Sequence, residues 1–93
     1  MGVNEISNKV SDFSVYPNPS QTQSLVTFEQ IHGGVVNVEL YNSKGELVKT
    51  IYNNYLPAGL NALPIDFTDL NSGLYFVRIK TGLNSVTKKV SKL

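Results

Sequence analysis

Strict alternation of apolar and polar residues constrains this chain more than any other feature. Val36, Val38 and Leu40 alternate with Asn37, Glu39 and Tyr41, and Tyr75, Val77 and Ile79 alternate with Phe76, Arg78 and Lys80. Successive strand side chains point to opposite faces, so a period of two builds strands with one face buried. Val26 and Phe28 do the same between Ser24 and Gln30, as do Leu63, Ile65 and Phe67 in a later run. Val86 and Val90 point inward from a last strand over Ser85 to Lys92. The short run Phe13–Tyr16 is stopped by Pro17-Asn18-Pro19, where two prolines remove ladder donors. One run is ambiguous: in Glu46 to Tyr52 the apolar residues Leu47, Val48, Ile51 and Tyr52 allow either face inward.

Turn signals punctuate these runs every eight to twelve residues or so. They are His32-Gly33-Gly34, Asn42-Ser43-Lys44-Gly45, Leu56-Pro57-Ala58-Gly59, Asp69 to Gly73, and Gly82-Leu83-Asn84. Asn42 suits the first position of a type I turn and Gly45 the left-handed position after it. Seven or eight short strands at this spacing predict an antiparallel β-sandwich of immunoglobulin-like or Greek-key type, since one sheet alone would leave an apolar face wet. At 93 residues the chain makes one domain. Residues 13–93 are read as that domain and residues 1–12 as a linker, with Met1 and Gly2 read as vector-derived. The start has neither a basic nor an apolar region of a signal peptide, and no stretch approaches the ~20 apolar residues of a membrane span.

The same residues offer little to catalysis. There is no cysteine, hence no disulfide and no thiolate metal site, and the single histidine, His32, stands in a glycine turn away from other ligand types. Asp66 and Asp69 flank a strand end but lack the regular spacing of a calcium loop, and Asp69 is more simply a turn-former. No Gly-x-Ser-x-Gly elbow and no phosphate loop is present. The expectation is a non-enzyme without a cofactor. Five tyrosines leave sugar stacking open, so a carbohydrate- or surface-binding accessory module is the alternative reading. The net charge of +1 is small for a domain that holds phosphate backbones, so no nucleic acid is expected.

That net charge conceals an asymmetry. Residues 1–77 hold three lysines against seven acids, whereas residues 78–93 hold Arg78, Lys80, Lys88, Lys89 and Lys92 with no acid. Two readings stand together: lysines that guard an edge strand against aggregation, and a charged surface that meets a partner.

Four segments in order carry a family resemblance. Val15-Tyr16-Pro17-Asn18-Pro19 resembles the "YPNP" opening of the C-terminal sorting domain of the bacterial type IX secretion system, found in Bacteroidetes. Residues 40–48, Leu-Tyr-Asn-Ser-Lys-Gly-Glu-Leu-Val, are similar to its "LxDxxGxxV" hairpin, with Asn42 in place of Asp and Glu46 where a basic residue is common. Residues 70–79, from Leu70 to Ile79, resemble its "LxxGxYxxxI" segment, and Lys89-Val90-Ser91-Lys92 its "K-apolar-x-K" ending. The resemblance implies a cargo fused on the N-terminal side, passage through the periplasm, and recognition by outer-membrane secretion machinery. It further implies removal of the domain by a sortase-like peptidase and release of the cargo to the cell surface or the exterior. On this reading Lys88, Lys89, Val90, Ser91, Lys92 and Leu93 are the recognised residues. Pro17, Asn18, Pro19, Gly45, Leu70, Gly73 and Tyr75 are motif residues that serve folding.

Overall fold

A computed structural model describes residues 13–82 and 84–93; the linker expected over residues 1–12 lies outside them. The described residues form seven strands: β1 (Phe13–Tyr16), β2 (Gln23–Gln30), β3 (Gly34–Asn42), β4 (Leu47–Leu56), β5 (Gly59–Asp66), β6 (Gly73–Thr81) and β7 (Asn84–Lys92). They form a three-stranded sheet, β1-β2-β5, and a four-stranded sheet, β4-β3-β6-β7. Every strand pair is antiparallel. Among the described residues no helix is long and apolar enough to cross a membrane.

The alternation places the core as expected. Val26, Phe28, Leu63, Ile65 and Phe67 meet Val36, Val38, Leu40, Tyr75, Val77, Ile79 and Val90 across the two sheets, with Phe13 and Val15 closing one side. Val86 is half-buried and packs against this cluster. Each such side chain contributes about 1.5–3 kcal/mol by leaving water, and together they hold the sheets face to face.

The ambiguous run resolves through two irregularities. Pairing of β3 with β4 steps from Val38↔Tyr52 to Glu39↔Thr50, passing over Ile51, and from Leu40↔Lys49 to Tyr41↔Leu47, passing over Val48. Each extra residue flips the facing of those beyond it. Val48, Ile51 and Tyr52 therefore all reach the core despite their mixed spacing. β4 also continues beyond Tyr52 to Leu56, although Asn53 and Asn54 have no apolar alternation. The partner decides this, because Val35, Val36 and Asn37 of β3 pair with Tyr55, Asn54 and Asn53.

At the β5–β6 corner, the Tyr75 hydroxyl donates to the Asn71 carbonyl at 2.7 Å. A buried tyrosine near the start of a strand, tied to backbone a few residues upstream, is the tyrosine corner of immunoglobulin-like sandwiches. The Phe67 and Tyr75 rings pack at 6.3 Å beneath it. Gly73 has φ of 150° and Gly45 φ of 84°, both in the positive range expected of these motif glycines.

Strand direction defines two poles. One holds the His32 turn, the β4–β5 connection and the β6–β7 hairpin. The other holds Pro17–Thr22, the Asn42–Glu46 turn, the β5–β6 corner and the end of β7. β1 runs toward the second pole and ends there at Tyr16.

Candidate recognition site

β7 is an edge strand, and its fate at the second pole follows from the segment that leaves β1. Pro17 and Pro19 lack N–H groups, so this segment can donate no backbone hydrogen bond at those positions. Both of their peptide bonds to the preceding residue are cis. The Asn18 side chain supplies what the prolines cannot. Its Nδ2 donates to the Lys89 carbonyl at 3.1 Å, and its Oδ1 accepts from the Ser91 N–H at 3.0 Å. The chain then moves onto the second sheet. Ser20 N–H donates to the Ser91 carbonyl at 3.0 Å, the Leu93 N–H donates to the Ser20 carbonyl at 2.8 Å, and Ser20 bridges Lys92 in parallel. Four consecutive edge groups of β7, from Lys89 O to Leu93 N, are thereby satisfied.

Two serines fasten this clasp from within. Ser24 Oγ donates to the Pro17 carbonyl at 2.7 Å, and Ser20 Oγ donates to the Gln23 carbonyl at 2.8 Å. Both serines are buried, while Pro17, Asn18 and Pro19 are exposed.

The six terminal residues divide between fold and surface. Val90 is 1% exposed and anchors the strand. Lys88 shares its face, and its Nζ lies 5.7 Å from the centre of the Phe13 ring, so its stem covers the open side of the sandwich. Lys89 and Leu93 are exposed, Ser91 and Lys92 half-buried, and Lys92 Nζ donates to the Leu93 carbonyl at 3.3 Å.

The other basic residue of this region behaves differently. Arg78 Nη2 donates to Glu39 Oε1 at 2.9 Å and to the Tyr41 hydroxyl at 2.8 Å, with its guanidinium 5.1 Å from the Tyr41 ring centre. Tyr41 in turn donates to Glu39 Oε1. The hydroxyl bond, seconded by Arg78, holds the Glu39 carboxyl below the usual carboxylate range, and the same bond raises the Tyr41 phenol. The charge of Arg78 is thus matched within the sheet, whereas Lys89 and Lys92 lie at the clasped end of β7.

The remaining motif residues occupy turns. Asn42 Oδ1 accepts from the Lys44 and Glu46 N–H groups, as the acidic residue of the family pattern would, and Nδ2 donates to Glu46 Oε1 at 2.8 Å. An Asp at 42 would repel Glu46, so the two departures from the pattern form one compensated pair. The Leu70 N–H donates to the Phe67 carbonyl, and the Leu70 side chain packs on the core. These contacts belong to folding.

The residues weighed for catalysis and metal binding lie apart from this clasp. His32 is exposed in a bend. Lys49 Nζ donates to the Asp66 carbonyl at 2.9 Å and lies 3.3 Å from Asp69 Oδ1, so an ammonium group stands where a cation between these acids would sit. Thr68 donates twice to Asp66 Oδ1 and keeps that carboxyl below its ordinary value. Among the described residues no group of three or more His, Cys, Asp or Glu could hold a metal. Tyr16 and Tyr55, the exposed tyrosines, stand on different sheets at opposite poles and share no stacking platform.

An immunoglobulin-like sandwich whose last strand is clasped by a Pro-Asn-Pro segment defines the class. The chain matches the family model of the secretion system C-terminal sorting domain over residues 14–92, and it belongs to that family. It carries a type IX sorting signal, in a family of signals rather than catalysts, and the protein bearing it is secreted to the surface or the exterior. Its partners are the secretion machinery and a cargo on its N-terminal side. A search of curated proteins gave no match.

Proposed function

We propose that this domain, folded as a sandwich, carries its cargo through the periplasm to the outer membrane, where a receptor of the secretion machinery recognises Lys88 to Leu93. A sortase-like peptidase then removes the domain and frees the cargo at the cell surface. The observation that carries the reading is the coincidence of the family's Lys-apolar-x-Lys ending with an accessible basic edge strand. Lys89 extends from the outer face, and residues 78–93 hold five basic residues and no acid. An acidic receptor surface would gain charge complementarity, which favours fast and selective docking.

The test fuses a reporter ahead of the domain, with residues 1–12 retained, in a type IX-competent bacterium. Export that requires the secretion components and ceases when Lys88 to Leu93 are deleted supports the reading. Undiminished export of the truncated fusion refutes it. Mass spectrometry of the released reporter checks the cleavage: the mature product lacks peptides from β1 to β7.

A further inference from the structure

The first and last motifs of the chain, 71 to 73 residues apart, meet as one surface. Pro17, Asn18 and Pro19 put no side chain into the core, and all three are exposed beside Lys89 and Leu93. A connection whose only task was to cross between sheets would need Ser20 and Ser24, which are buried and bonded to backbone, but not this exposed trio. Asn18 instead imitates a peptide group for β7, and the flanking prolines offer no N–H on which a further strand could build. Strand addition by a partner at Lys89–Leu93 is therefore blocked while the clasp is closed.

We infer that the receptor reads this composite surface in place: Pro17, Asn18 and Pro19 together with Lys89, Lys92 and Leu93, with the clasp closed. The inference rests on the sorting reading given above and specifies how that site is recognised. The partner it fits is a protein surface with carboxylates opposite Lys89 and Lys92 and apolar contact for Pro19 and Leu93. Asn18 is a positioning residue, because it fixes the terminal residues in the one conformation that presents these groups together. A receptor that needs the closed form binds with an apparent affinity reduced by whatever fraction of the domain is open.

The experiment measures binding of the labelled full chain to outer-membrane vesicles from a type IX-competent strain and from a strain lacking the system. Wild type is expected to bind only the former. N18A removes both side-chain bonds to β7 without touching the core, and binding is expected to weaken about tenfold or more. Amide exchange at Ser91 reports that the clasp has opened, and the thermal midpoint reports that the sandwich remains. A synthetic peptide of residues 84–93, which has no clasp, is expected not to displace the domain even at large excess. Wild-type binding by N18A with fast Ser91 exchange would show that the strand is read peeled free, and so would displacement by the peptide at equal concentration. If N18A does not fold, the peptide arm decides alone. Equal binding of wild type to both kinds of vesicle overturns the parent reading, and this one with it.

Discussion

Replacing Gly73 and Gly45 separates folding from recognition at the family's glycines. A Cβ at either position would meet nothing within 4 Å, so no clash contributes to the cost. What remains is the backbone. At Gly45, φ of 84° lies near the left-handed well, where alanine costs about 1–2 kcal/mol and asparagine is tolerated. At Gly73, φ of 150° lies far from that well, so asparagine offers no relief and either substitution costs about 1–3 kcal/mol. In a domain of this size 1 kcal/mol moves the thermal midpoint by about 4–8 °C. Total stability of about 5–15 kcal/mol leaves every single variant folded at room temperature. Urea unfolding of G45A, G45N, G73A and G73N is then expected to rank G45N close to wild type, G45A lower, and both Gly73 variants equally low. Wild-type stability of G73A would refute the conformational argument. If export were nevertheless lost, the glycine would be there for the close approach of a partner.

Further perturbations address the corner, the charged cluster, the acid pair and the hairpin. Tyr75→Phe leaves the Asn71 carbonyl without its donor and is expected to cost about 1 kcal/mol; an unchanged thermal midpoint would show that the corner adds nothing. The folded-state pKa of Glu39 is depressed below its ordinary 4.5, so its contribution is fully present above that value and is lost as pH falls through the folded value. Glu39→Gln is expected to flatten the acid limb of a stability–pH profile, and an unaltered limb would discount the cluster. Because Lys49 stands between Asp66 and Asp69, millimolar calcium is expected to leave the midpoint unmoved, and a rise of several degrees would contradict that placement. Asn42→Asp is expected to destabilise the domain while Glu46 is present and not when combined with Glu46→Lys. A double-mutant cycle with coupling near zero would mean that the two departures from the family pattern are independent.

The sandwich was legible because a period of two admits no other regular element, and the buried positions of β2, β3, β5 and β6 followed directly. The facing of β4 was not legible. Two extra residues, Val48 and Ile51, reverse the alternation twice, and only pairing with β3 decides where. The terminal residues were legible as a basic strand, but the partition among them was not. Lys88 and Lys89 are adjacent lysines in sequence, whereas in the fold one covers Phe13 and the other faces solvent. The larger omission was Asn18. Between two prolines it reads as part of the element that stops β1, and nothing local announces that its amide serves backbone more than seventy residues away. The available clue was indirect: an exposed Pro-x-Pro removes donors that an adjacent edge strand would otherwise use.

The clasp changes what the terminal strand can signal. A linear tail of lysines is present whether or not the domain has folded, so a receptor that read the tail alone could not tell a finished protein from an unfinished one. Asn18 and Ser20 reach Lys89–Leu93 in the fold in which the two sheets are packed. That packing requires the core of both sheets and the crossing of the chain after Pro19. A surface composed of both segments therefore exists only on the completed sandwich.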